Sequence, residues 1–144
     1  MKAERARLAR LKRLERIREI SRQSALAEAG RAEGTLAQLK ALGARTTELA
    51  AEYTVRRDAG DAADLQQLRR FVSGLGRIVI STAQDTARAR QVADDRAAEA
   101  ALAEQRRAAV EDRVTAQAQR IARKESGGSD SAAPRPGKLG TGLV

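Results

Sequence analysis

Residues 56–64 read "RRDAGDAAD", and they separate two stretches whose apolar residues recur with helical period. Gly60 can take the left-handed backbone geometry that ends a helix. Asp61 suits the N-cap of a second helix, and Asp64 then stands in its first turn, where negative charge is favoured. The connection is short. Two long helices joined by so few residues are predicted to fold back as an antiparallel hairpin.

Upstream, no proline interrupts the pattern from about Ala6 to Val55. Leu39, Leu42, Thr46, Leu49 and Tyr53 alternate spacings of three and four, a heptad seam. Extended backwards, the line passes through Ala32 and Ala25, with Leu36 and Ala29 beside it. Leu8, Leu11, Leu14, Ile17 and Ile20 recur every three residues and trace a broad oblique stripe. Gly30, Gly34 and Gly43 each cost a helix roughly 1 kcal/mol relative to alanine. They soften the prediction of one helix over about 6–55 without ending it.

Downstream, the second seam runs through Leu65, Leu68, Val72, Leu75, Val79, Thr82, Thr86, Ala89 and Ala93. It continues less apolar through Arg96, Ala100, Ala103, Arg107, Val110, Val114 and Ile121, so a helix over about 62–124 is predicted. From Glu125 the sequence "ESGGSDSAAPRPGKLGTGLV" holds both prolines and five glycines and loses all periodicity. Residues 125–144 read as a disordered tail. The expected fold class is therefore all-α, a long antiparallel two-helix coiled-coil hairpin over residues 1–124. At 1.5 Å per residue the first helix would span roughly 75 Å, and the second would overhang it by about a dozen residues.

Composition agrees with that reading. Of the 144 residues 42% are apolar, largely alanine, 33% are charged and 1% are aromatic. Tyr53 and Phe71 are the only aromatic side chains, too few for a compact multi-layer core. Cysteine and histidine are absent, which removes thiol chemistry and the commonest general base and metal ligand. No apolar run approaches a membrane span. The basic N-terminus "MKAERARLARLKRLERIREI" lacks a hydrophobic core and contains Glu4, Glu15 and Glu19, unlike a targeting peptide. The expected location is cytoplasmic.

Catalytic motifs are missing as well. Gly74 and Gly76 form a G-x-G inside a heptad, whereas a phosphate loop follows a strand; close helix approach or a soft spot explains them better. Asp94–Asp95 and Glu111–Asp112 are adjacent pairs that a helix points to different faces. No enzyme activity, cofactor, metal or small-molecule substrate is expected.

The charge is unevenly placed. Residues 1–22 hold nine Lys or Arg against three Glu, and residues 106–124 hold six against two acids. These segments account for the whole net charge of +9 and leave the remainder slightly acidic. In an antiparallel hairpin they meet at the open end. A concentrated positive end attracts nucleic acid, anionic lipid or an acidic protein pore; the plainer reading is arginines that merely solvate alanine-rich helices.

The stretch "LRRFVSGLGRIVI", residues 68–80, carries more apolar surface than one seam needs. Phe71, Leu75 and Ile78 form a second stripe at i, i+4, i+7, and Leu42, Leu49 and Tyr53 lie at comparable distances before the loop. Two helices cannot bury both stripes. An exposed apolar patch of this kind marks a protein-binding site, or a homodimer interface that buries it.

These features together resemble the FliJ family, the small coiled-coil components of the flagellar type III export apparatus, and their injectisome counterparts. The likeness covers about residues 5–124. It rests on the length, the basic "LxRLxRIRE" opening from Leu11 to Glu19, the short polar loop, and the restart "LRRFVSGLGRIV". The chain departs from the family in its few aromatics and glutamines, its shorter loop and its Pro/Gly tail. The resemblance implies a non-enzymatic stalk that docks into the hexameric export ATPase, contacts the cytoplasmic region of the export gate protein and escorts export chaperones. Its place would be cytoplasmic, peripherally associated with the inner-membrane export apparatus and serving flagellum biogenesis, motility and chemotaxis. Carried over by alignment at the tyrosine and phenylalanine, the export-gate surface comprises Leu42, Thr46, Leu49, Tyr53, Phe71, Leu75 and Ile78. The basic open end, Arg10, Arg13, Arg16, Arg120 and Arg123, would face the ATPase ring. Two readings stand beside it: a basic coiled coil that binds nucleic acid without sequence preference, and a homodimeric scaffold. Against the first, neither basic segment has an aromatic residue on which bases could stack.

Overall fold

The computed structural model describes residues 1–55 and 61–131. Nearly all of them lie in two α-helices, α1 over Lys2–Val55 and α2 over Ala62–Ser131, which pack against each other in antiparallel sense. No strand occurs among the described residues.

The start of α2 follows from its sequence. The Asp64 backbone N–H donates to Asp61 Oδ1 at 2.8 Å, and the Leu65 N–H donates to the Asp61 carbonyl at 3.1 Å. Asp61 is therefore the N-cap, and Asp64 lies in the first turn at the positive end of the helix dipole. Gly60, expected to end the first helix, lies outside the described residues.

The outer ends extend beyond expectation. Helix α1 begins at Lys2 rather than near residue 6, and α2 continues to Ser131 rather than stopping near Lys124. The expected tail is thus corrected for residues 125–131, while 132–144, with both prolines, lie outside the described residues. Lys2, Ala3, Glu4 and Arg5 are all good helix formers, and contacts across the pair fall on the residues added at both ends. Lys124 Nζ donates to Glu4, Arg5 pairs with Glu125 at 2.7 Å, and Gln117 Nε2 donates to the Glu4 carbonyl at 3.2 Å. Gly127 and Gly128 weaken this last stretch, but no described glycine takes a positive φ and the helix continues through them.

The helix pair divides into two compact units. The loop-proximal unit is Ser21–Glu104, and the terminal unit is Met1–Ile20 with Gln105–Val144. In the loop-proximal unit, Leu36, Leu75, Ala93 and Ala100 are buried together with Thr46 and Thr82. Leu68, Val72, Leu75, Val79, Thr82, Thr86, Ala89 and Ala93 are all buried or half-buried, so the α2 seam stands here; Leu65, expected to open it, is exposed. The Thr46 hydroxyl donates to the Leu42 carbonyl at 2.8 Å, and Thr86 to the Thr82 carbonyl at 2.7 Å. Each helix thereby satisfies polar groups that its own seam buries.

The α1 seam differs from expectation by one position over its second half. It runs through Ala25, Ala29, Ala32, Leu36, Leu39, Gly43, Thr46, Ala50 and Tyr53, all buried or half-buried. Leu36, expected beside the line, is buried, whereas Leu42 is 49% exposed. Gly43 takes the inward place, and a Cβ there would lie 3.5 Å from the Thr82 methyl carbon. Register against α2 decides the matter. A small residue at the contact is what the close alanine-rich seam accepts, and the large Leu42 is turned to the flank.

The terminal unit buries Val110, Gln117 and Ile121 on α2. Facing them, Glu4, Leu8, Leu11, Glu15 and Arg18 are half-buried on α1 at the same alternating spacing. Gln117 completes the heptad between Val114 and Ile121. Because it is polar, apolar periodicity alone passes over it. No large side chain is fully buried among the described residues, so each layer of either unit contributes modest burial.

Candidate functional site

Two surfaces follow from these seams. In the loop-proximal unit the residues flanking the α2 seam by one position, Phe71 and Ile78, are 46% and 47% exposed. Leu42 and Leu49 flank the α1 seam in the corresponding way, Leu42 exposed and Leu49 half-buried. Tyr53 meets Phe71 edge to face, with ring centroids 4.8 Å apart and planes at 68°. This geometry fixes the Phe71 ring against α1 while leaving its outer edge in solvent. Leu42, Leu49, Tyr53, Phe71 and Ile78 thus belong to one apolar flank.

The other two expected members of that surface do not belong to it. Thr46 and Leu75 are each 7% exposed and lie on the seam between the helices. Leu75 satisfies the spacing of both stripes, and burial resolves which one it serves. A side-on partner would meet Leu42, Phe71 and Ile78 but not Thr46 or Leu75. A concavity of about 540 Å³ opens in the same unit between Tyr53, Leu65, Leu68 and Val72. Among the described residues its lining is mostly apolar, with Arg69 as the charged side chain and no carboxylate.

The terminal unit holds the other surface. Arg10, Arg13, Arg16, Arg120 and Arg123 are all exposed. The acids of the first twenty residues behave differently, for Glu4, Glu15 and Glu19 are all half-buried on the side facing α2. Glu4 pairs with Lys124, and Glu19 lies 3.8 Å from Arg107. The Lys124 hydrogen bond, reinforced by its charge, holds the Glu4 carboxyl below its ordinary range. Glu4 Oε2 and Arg18 Nε are buried without a hydrogen-bond partner. Over the first twenty residues of α1 the three acids thus face α2 together with Arg18, while Arg10, Arg13 and Arg16 face outward. Sequence reasoning missed this sorting, although the seam positions of Glu4 and Glu15 encode it.

Gly74 and Gly76 lie within α2 with open space where a Cβ would be, so close helix approach does not account for them. No group of acids able to hold a metal ion occurs among the described residues, and no described helix is long and apolar enough to cross a membrane. No protein-family model, curated protein or solved structure matches the chain.

Proposed function

We propose that the chain is a non-enzymatic stalk component of a type III protein export apparatus. It couples the hexameric export ATPase to the membrane export gate from the cytoplasmic side and escorts export chaperones. The observation that supports this reading is the apolar flank of Leu42, Phe71 and Ile78, left in solvent beside a seam that is already closed. It falls where the family resemblance puts the gate-facing surface. The terminal unit, with Arg10, Arg13, Arg16, Arg120 and Arg123 outward, would supply the contact to the ATPase ring through charge attraction.

Titration of the full chain against the cytoplasmic region of the export gate protein tests the reading. Phe71→Ala should weaken binding by about 2 kcal/mol or more, as at an interface hot spot. Helicity should survive, because the ring is half exposed. Ile78→Ala should act in the same direction and Leu75→Ala should instead unfold the pair. The reading fails if Phe71→Ala melts the helices while affinity per folded molecule stays intact. Duplex DNA bound more tightly than the ATPase at physiological salt would favour the nucleic-acid reading.

A further inference from the structure

We propose that the outward face of α1 in the terminal unit, built on Arg10, Arg13, Arg16, Ile17 and Ile20, docks on an anionic lipid bilayer. Ala3, Ala6, Arg10, Arg13, Ile17 and Ile20 are spaced 3, 4, 3, 4 and 3 apart, and all six are exposed. They form the stripe opposite the half-buried seam of Glu4, Leu8, Leu11, Glu15 and Arg18. Ile17 is 58% and Ile20 66% exposed, more than Phe71 or Ile78 on the apolar flank of the other unit. Helix packing gives these isoleucines nothing to cover them.

Charge identifies the occupant. All three carboxylates of Met1–Ile20 are turned toward α2, so this face presents cations with no acid among them. Among the described residues neither Arg10 nor Arg16 has an ion pair, and Arg13 Nε donates to the Ala9 carbonyl at 3.4 Å. The partner is therefore anionic. Nucleic acid would use the arginines but leave Ile17 and Ile20 against phosphates, and the face has no aromatic side chain for stacking bases. Protein hot spots are enriched in Trp, Tyr and Arg; this face has the arginines but no aromatic ring to fill a partner's pocket. A bilayer uses every feature. Aliphatic side chains on one helix face sink into the boundary between headgroups and acyl chains, while arginines lay their stems along it and keep the guanidinium at the phosphates. This inference shares Arg10, Arg13 and Arg16 with the ATPase contact proposed above but rests on Ile17 and Ile20, which that contact does not use, so its failure leaves the stalk reading standing.

Flotation of the full chain with phosphatidylcholine vesicles, with and without phosphatidylserine, tests it at physiological salt. Wild-type protein should float only with the phosphatidylserine vesicles. Arg13→Gln should lower the partition about fivefold, the value of one cation near an anionic surface. Ile17→Ser with Ile20→Ser should lower it by about tenfold or more at unchanged charge. Ile80→Ser, which alters an equally exposed isoleucine of the other unit, should leave it unchanged. All these positions are exposed, so circular dichroism should show intact helices in every variant. Failure of the wild type to float overturns the proposal. So does loss of binding in Arg13→Gln with none in the isoleucine pair, which would mark a general anion-binding surface serving nucleic acid or an acidic protein.

Discussion

The loop-proximal and terminal units share one heptad register and yet hold together differently. The terminal unit contains sixteen Lys or Arg and seven Asp or Glu, against twelve of each in the loop-proximal unit. It thus carries the entire net charge of +9. Its helices are joined by Lys124 on Glu4, Arg5 on Glu125, Arg107 beside Glu19 and Gln117 on a backbone carbonyl. The loop-proximal unit has two such pairs, Arg22 with Glu104 and Arg96 with Glu28, but it buries more side chains. These are Leu36, Leu75, Ala93, Ala100, Thr46 and Thr82, compared with Val110, Gln117 and Ile121 in the terminal unit. Burial stabilises a contact regardless of salt, whereas half-exposed ion pairs contribute little and are screened. The neutral unit therefore has the broader buried base, and the charged unit presents an outward cationic face.

The largest expected effect probes that base. Leu75→Ala should cost about 2–5 kcal/mol in urea unfolding, because it empties one of the few large buried positions. Phe71→Ala should cost about 1 kcal/mol, the worth of its edge-to-face contact with Tyr53. Equal losses would erase the distinction between seam and flank.

Gln117 sharpens the comparison in the terminal unit. Gln117→Ala should cost about 1–2 kcal/mol through its lost hydrogen bond and volume. Gln117→Leu should be neutral or stabilising, because its acceptor, the Glu4 carbonyl, sits inside a helix and keeps its helical partner. A loss with leucine as large as with alanine would show that the polar bond, not the burial, holds this layer.

Gly43→Ala should raise stability by up to about 1 kcal/mol through helix propensity, since the new methyl would meet Thr82 at ordinary contact distance. A clear loss of melting temperature would mean that the helices approach more closely than this spacing.

Acidification should give the smallest effect. The Glu4 carboxyl is depressed in the folded chain, so its contribution is present above the ordinary value of 4.5 and fades as pH falls through the lower folded value. Glu4→Gln should flatten that part of the pH–stability profile in low salt. A profile unchanged by Glu4→Gln would assign the slope to other carboxylates.

The sequence by itself determined the helical class, the break near residues 56–64, the Asp61 cap and the α2 seam from Leu68 to Ile121, apart from Gln117. Each depends on local rules, the heptad period and the chemistry of a helix start, that operate within one element. What only the tertiary structure decided is which of two near-equivalent lines faced the partner helix. Leu42 yielded to Gly43 and Leu75 was withdrawn from the apolar flank, because register across two helices sets burial and side-chain size alone does not. The same register drew Glu4, Glu15 and Glu19 inward and joined Glu4 to Lys124 and Arg5 to Glu125. Those contacts span 120 residues of sequence and fall at or beyond the ends that local periodicity implied.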